Sequence, residues 1–134
     1  MTKKILIIDD EPEFLNFLKK ELELRKYSVI TAHDGQDGLT KIKECQPNLI
    51  ICDFSMPNKN GFEVLKELRD SEDNATPFFM VSGVDNFEEA RKTQDIKANL
   101  YLTKPFPLTV LLKNIKIFLG VRLQSKVKQN GIQK

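Results

Sequence analysis

The stretch Lys4-Ile5-Leu6-Ile7-Ile8-Asp9-Asp10-Glu11-Pro12 changes character twice within a few residues. Ile5 to Ile8 form an unbroken apolar run rich in β-branched side chains, which suits a strand buried on both faces of a sheet. Asp9 and Asp10 close that run, and Pro12 then fits the first turn of a helix, where its missing N–H has no partner to lose. A basic start followed by apolar residues is also how a secretory leader begins. Here the acids interrupt after only four apolar residues, so the stretch reads as a strand and the chain is expected to be cytoplasmic.

Reading outward, the same alternation recurs. Strands are expected near Lys4 to Ile8, Ser28 to Ala32, Leu49 to Cys52, Phe78 to Ser82 and Asn99 to Thr103. Amphipathic stretches separate them. The first runs from about Pro12 to Lys26, with Phe14, Phe17, Leu18 and Leu22 spaced to face a sheet; the second spans Gln36 to Cys45. A third follows Gly61 and buries Phe62, Val64, Leu65 and Leu68, and a weaker fourth lies between Asn86 and Asp95. The last begins at Pro107, carries Leu108, Leu111, Leu112, Ile115 and Leu119 along one face, and is expected to stop at Gly120. Alternating strands and helices of this kind define the α/β class, a parallel sheet wrapped by helices on both faces.

At 134 residues the chain has the usual size of one domain. Its longest apolar runs fall far short of the roughly 20 residues a membrane span needs. Two cysteines, Cys45 and Cys52, are too few for a disulfide framework and lack zinc-site spacing, so both read as small buried hydrophobes. The net charge is +2, but Arg122, Lys126, Lys128 and Lys134 all lie after Gly120 with no acid among them. The remainder is slightly acidic, which argues against direct nucleic-acid binding.

In an open parallel sheet, ligands bind beyond the carboxyl ends of the strands, at the crevice where strand order reverses. Asp9 and Asp10 end the first expected strand, Asp53 the third, Ser82 the fourth, and Lys104-Pro105 the fifth. Alone, paired acids at a helix start complement its dipole, and a lysine or serine in a loop is simply solvated. Together, on four of five strand ends, they are hard to explain by packing. Converging carboxylates repel by about 4 kcal/mol per pair at ~4 Å and an effective dielectric near 20. A divalent cation relieves this, and Mg²⁺ suits an all-oxygen site that also meets a phosphoryl group, with Mn²⁺ as a substitute. A carboxylate can attack phosphorus to form an acyl phosphate. Lys104 then adds positive charge, the Ser82 hydroxyl a hydrogen bond, and Gly83 an accessible backbone N–H.

The sequence resembles the receiver domains of response regulators from Lys4 to Gly120. The resemblance rests on Ile7-Ile8-Asp9-Asp10-Glu11-Pro12, Asp53-Phe54-Ser55-Met56-Pro57-Asn58-Lys59-Asn60-Gly61-Phe62-Glu63-Val64-Leu65, Met80-Val81-Ser82-Gly83 and Tyr101-Leu102-Thr103-Lys104-Pro105-Phe106. It implies a flavodoxin-like doubly wound (βα)5 fold whose five-stranded parallel sheet has order 2-1-3-4-5. It divides the chain into a receiver domain, 1–120, and a basic polar tail or linker, 121–134. Asp53 would be the phosphoacceptor, Asp10 and Asp53 Mg²⁺ ligands, Asp9 a ligand mainly through water, and Ser55 a ligand through its backbone carbonyl. Lys104 would bind the phosphoryl group, the Lys104-Pro105 peptide bond would be cis, and Ser82 and Tyr101 would act as the switch. Lys26 departs from the family pattern, standing where glycine often follows the first helix, and Lys97 stands where a glycine often precedes the last strand.

The function so implied is a phosphorylation-dependent signalling switch that catalyses only its own phosphotransfer and dephosphorylation. Its donors would be a sensor histidine kinase or a histidine phosphotransfer protein. Its target would be a downstream protein or an output domain, reached through the fourth helix, the fifth strand and the last helix, with a phosphorylation-dependent homodimer as one form of output. Val110 and Ile117, opposite the core stripe of the last helix, and Leu15, off the centre of the first helix's stripe, are the candidate docking residues. The alternative is the input domain of a longer regulator. An aspartyl phosphatase is more remote, because such enzymes place a second acid two residues after the nucleophile, where this chain has Ser55.

Overall fold

A computed structural model of the chain describes residues 2–71, 75–83, 91–92 and 94–131, with residues 121–131 as backbone alone. The fourth helix expected between Asn86 and Asp95 falls mainly on residues outside the described set. Strands β1 (Lys4–Ile8), β2 (Ser28–Ala32), β3 (Leu49–Asp53), β4 (Phe78–Ser82) and β5 (Leu100–Thr103) form one parallel sheet in the order β2-β1-β3-β4-β5. Helices α1 (Pro12–Leu24), α2 (Gly35–Cys45) and α3 (Gly61–Asp70) connect the first four strands. The fold class and strand order are those expected. Among the described residues no helix is long and apolar enough to cross a membrane.

The unbroken apolar runs become the three central strands, where Ile5 to Ile8, Leu49 to Cys52 and Phe78 to Val81 are all fully buried. Because side chains alternate along a strand, Leu6, Ile8, Ile50, Cys52, Phe78 and Met80 share one face. They pack there with Leu39 of α2 and Phe62, Val64, Leu65 and Leu68 of α3. Helix α1 lies against β1 and β2 and buries Leu15, Leu18 and Leu22.

That stripe corrects two readings of α1. Phe17 does not face the sheet but stands 52% exposed, while Leu15 is buried and is no docking residue. The reason is angular: at about 100° per residue, Leu15 and Leu22 almost eclipse, whereas Phe17 sits roughly 140° round from Leu22. Cys45 is half-buried rather than buried, and Cys52 is buried as expected.

Register delivers the polar strand ends to one edge. Ile8 is level with Cys52, Asp53 with Val81, and Ser82 with Thr103. Asp9 and Asp53 therefore emerge side by side, with Ser82 and Lys104 one step beyond their neighbours.

Residues Pro105–Lys134 constitute a second unit, dominated by a helix at Leu108–Gly131. Leu111, Ile115 and Leu119 are buried along its stripe, and Val110 and Ile117 are exposed as anticipated. The helix does not stop at Gly120, and no described glycine has a positive φ. A glycine inside a helix costs only about 1 kcal/mol relative to alanine, which the good helix formers around it offset.

Lys26, just past α1, has φ of 74°. A side chain in this left-handed region costs roughly 1–2 kcal/mol, a penalty glycine escapes. Lys26→Gly is expected to stabilise the fold by about 1 kcal/mol, read as a higher urea midpoint with an unchanged slope. An equal or lower midpoint would show that the strain is relieved elsewhere.

Candidate functional site

Each strand end holds its polar residue by main-chain ties. At β1, Asp9 N–H donates to Ala32 O at 3.0 Å, and its side chain is fully buried. Asp10 is exposed beside it, and Glu11 occupies the N-cap position of α1. At β3, Asp53 is buried, and the loop after it is stitched at both ends: Phe54 N–H donates to Val81 O at 2.8 Å, and Gly61 N–H to Phe54 O at 2.8 Å. Gly61 cannot be replaced without movement, since a Cβ there would lie 2.8 Å from Asp53 O and collide with Met80 Sδ. At β5, Lys104 N–H donates to Ser82 O at 2.8 Å, joining the last two strand ends. Helix α3 starts on a capping box, in which Asn60 Oδ1 accepts from Glu63 N–H and Glu63 Oε1 accepts from Asn60 N–H.

The side chains converge. Asp9, Asp10 and Asp53 each offer a carboxylate oxygen within 4.8 Å of the others. The Lys104 ammonium donates to Asp9 Oδ2 at 2.9 Å and to Glu11 Oε1 at 2.9 Å, and lies 3.6 Å from Asp53 Oδ1. It also stands 4.2 Å above the Phe14 ring. A cavity of about 290 Å³ opens beside them, lined by Asp10, Glu11, Asp53, Ser55, Gly83 and Lys104. Asp9, Asp10, Asp53 and Lys104 are therefore found around one point, whereas Ser82 is tied to Lys104 through its backbone carbonyl. Among the described residues a Cβ on Gly83 would meet Lys104 Cβ at 3.7 Å, an ordinary contact.

Tyr101 lies elsewhere on β5. It is half-buried, accepts a hydrogen bond from Ala98 N–H at 2.8 Å, and has its ring 6.4 Å from that of Phe62 and beneath the Arg91 guanidinium at 5.1 Å. Ser82 is fully buried. Two contributors were not anticipated: Glu11, a direct partner of Lys104, and Phe14, the face on which the ammonium rests. An acid at a helix start has an ordinary role with the helix dipole, so only its position directly after Asp9-Asp10 signalled anything more.

Electrostatics follow from burial. Desolvation, then the Asp9 charge, pushes the Asp53 carboxyl up to about 7, although Lys104 pulls the other way. Asp9 is raised too, chiefly by desolvation, against the lowering hydrogen bonds from Lys104 and the Glu11 N–H. Burial works against the Lys104 charge, but hydrogen bonds to Glu11 and Asp9 and the nearby Asp53 charge outweigh it and hold it at about 12. Two buried acids that resist ionisation, an exposed third, and a cavity at their side fit a hard divalent cation such as Mg²⁺, whose charge would relieve the repulsion. The neighbouring Cys52 thiol donates to Asp53 O at 3.3 Å, and its burial, with the Asp53 and Asp9 charges, pushes its pKa well up.

The parallel sheet thus carries acids beyond the carboxyl ends of the central strands β1 and β3 and a lysine beyond the edge strand β5, and comparison with known proteins gives this arrangement a family. Residues 5–116 match the family model described as the response regulator receiver domain, and the chain belongs to that family. It is 35% identical over 127 residues to the uncharacterized transcriptional regulatory protein YkoG of Bacillus subtilis, covering 95% of this chain and 52% of YkoG. The chain spans only 52–58% of the length of the first curated relatives it matches. Among solved structures, a CheY-like receiver domain protein from Methanospirillum hungatei superimposes with a TM-score of 0.84 at 30% identity, covering 93% of this chain and 99% of that one. TrrA of Thermotoga maritima, solved in complex with Mg²⁺-BeF, gives 0.76 at 30% identity, covering 88% of this chain and all of TrrA. Receiver domains are phosphoacceptor switches of two-component systems rather than enzymes that turn over an external substrate.

The sign of the pH dependence follows from Asp53. Its folded pKa lies above the unfolded value near 3.8, so the folded state binds the extra proton between about pH 4 and pH 7 and loses stability as pH rises through that window. In metal-free buffer Asp53→Asn is expected to be more stable than wild type at pH 8 by about 4 kcal/mol, with the difference shrinking toward pH 4. Urea unfolding at both pH values reads this, and a pH-independent difference would contradict it.

Proposed function

We propose that the chain is a phosphorylation-controlled signalling switch in which Asp53 accepts a phosphoryl group from a sensor histidine kinase or a histidine phosphotransfer protein. The observation that carries this reading is the convergence of Asp9, Asp10 and Asp53 within 4.8 Å, with Lys104 held 3.6 Å from Asp53. Asp10 and Asp53 would hold Mg²⁺, or Mn²⁺ in its place, with Asp9 acting mainly through water and Ser55 through its backbone carbonyl. The bound cation supplies charge neutralisation for the carboxylates and for the phosphoryl oxygens. That TrrA was solved with Mg²⁺-BeF supports the same use of this edge here.

The protein's own part is attack and positioning. An ionised oxygen of Asp53 bonds to phosphorus as the bond from phosphorus to the donor nitrogen breaks and its electron pair returns to the imidazole. Lys104 neutralises an equatorial oxygen, the Ser82 hydroxyl donates to another, and the Gly83 N–H is free of a Cβ that would shield it. The new phosphoryl group brings about −1.5 to −2 charges beside two buried carboxylates, enough to draw Ser82 toward it and to release Tyr101 from its Ala98 contact. Movement of these two is proposed as the switch.

Its output is a protein partner, a second copy of the chain, or an attached output domain. The last is favoured by one finding, namely that YkoG extends well beyond the matched region. In such a regulator residues 1–120 would be the receiver domain and 121–134 the link. Val110 and Ile117 are apolar and exposed on the C-terminal helix and suit a partner contact.

Acetyl phosphate with Mg²⁺ should add one phosphoryl group to the wild type, read by intact mass, and none to Asp53→Asn. Lys104→Ala should slow labelling at least about 100-fold, in line with the loss of one charge-stabilising donor. Equal labelling of wild type and Asp53→Asn would remove Asp53 as the acceptor.

A further inference from the structure

We infer that Glu11 is a positioning residue that competes with the phosphoryl group for Lys104, an inference resting on the phosphoacceptor reading of Asp53. The ammonium has three donors. At hydrogen-bond length it meets Asp9 Oδ2 and Glu11 Oε1, both at 2.9 Å, whereas Asp53 Oδ1 is farther off at 3.6 Å. The lysine that is to serve phosphorus on Asp53 is thus occupied by two other acids.

Those two acids differ in what holds them. Asp9 is fully buried, and its second oxygen accepts the Glu11 N–H at 2.8 Å, so it is fixed from both sides. The Glu11 carboxylate reaches Lys104 on a side chain 64% exposed. Among the described residues its carboxylate pairs with Lys104 alone, and turning it out into water leaves that ammonium still bonded to Asp9. Glu11 also lines the same cavity as Asp53 and Lys104. It is not one of the three acids whose oxygens lie within 4.8 Å of one another. Its place is against the ammonium, in the cavity that Asp53 also lines.

Glu11 is accordingly a removable counter-ion. It balances Lys104 while Asp53 is unmodified and gives way when a phosphoryl oxygen takes the donor. Its removal should strengthen phosphoryl binding by about two- to five-fold, the range spanned by an exposed ion pair. The effect belongs to half-saturation, because the attacking and stabilising groups are left in place.

The test uses the full chain as wild type, Glu11→Gln and Glu13→Gln. Glu13 lies in the first turn of α1 and is exposed, and it controls for general loss of negative charge. In saturating Mg²⁺, acetyl phosphate labelling is followed by intact mass, and beryllofluoride binding by fluorine NMR. Glu11→Gln should lower the half-saturating concentration of both probes about two- to five-fold with the maximal labelling rate little changed, and Glu13→Gln should match wild type. Unchanged or weaker binding by Glu11→Gln overturns the inference, as does an equal gain in Glu13→Gln. If wild type itself takes no label on Asp53, the phosphoacceptor reading falls, and this inference with it.

Discussion

Two carboxylates, Asp9 and Asp53, are held out of water at the edge of a parallel sheet, and their neighbours are arranged around the cost of keeping them there. Lys104 lies against both, and the Asp9 oxygens are each hydrogen-bonded, yet burial still raises the pKa of both acids. The site is therefore under-neutralised by protein alone. An exposed Asp10 and an adjoining cavity give a cation access to that unmet negative charge. The same imbalance that weakens the fold near neutral pH makes the edge chemically competent.

The fold's contribution is to make this cluster nearly unavoidable. Parallel strands begin and end in step, so polar residues placed after Ile8, Cys52 and Thr103 arrive together without any loop having to close on them. The main-chain ties from Phe54 to Val81, Gly61 to Phe54 and Lys104 to Ser82 then fix the carriers of those residues. Gly61 lets α3 begin hard against the backbone of Asp53. Glu11, by contrast, reaches the site on an exposed side chain.

The sheet and the strand-end acids were legible in the sequence because each rests on a strong local signal. Runs such as Ile5 to Ile8 and Phe78 to Val81 have no polar position that could face solvent, and abrupt changes to Asp9 or Asp53 mark where they leave the sheet. Less was legible where competing residues were similar. In α1, Phe17 and Leu15 are both apolar, and only the angular match of Leu15 to Leu22 decides which is buried. Gly120 carries a stop signal that a long helix can override. The link from Glu11 to Lys104 spans most of the domain in sequence, so nothing local could reveal it. Lys26 was visible as an anomaly, and its φ shows the strain that the departure from glycine entails.

Cys52 directly precedes Asp53 and is fully enclosed. A thiol becomes a nucleophile, and a target for peroxide, through its thiolate, which desolvation and two adjacent negative charges suppress here. Sulfur is thereby silenced beside a centre built for oxygen chemistry.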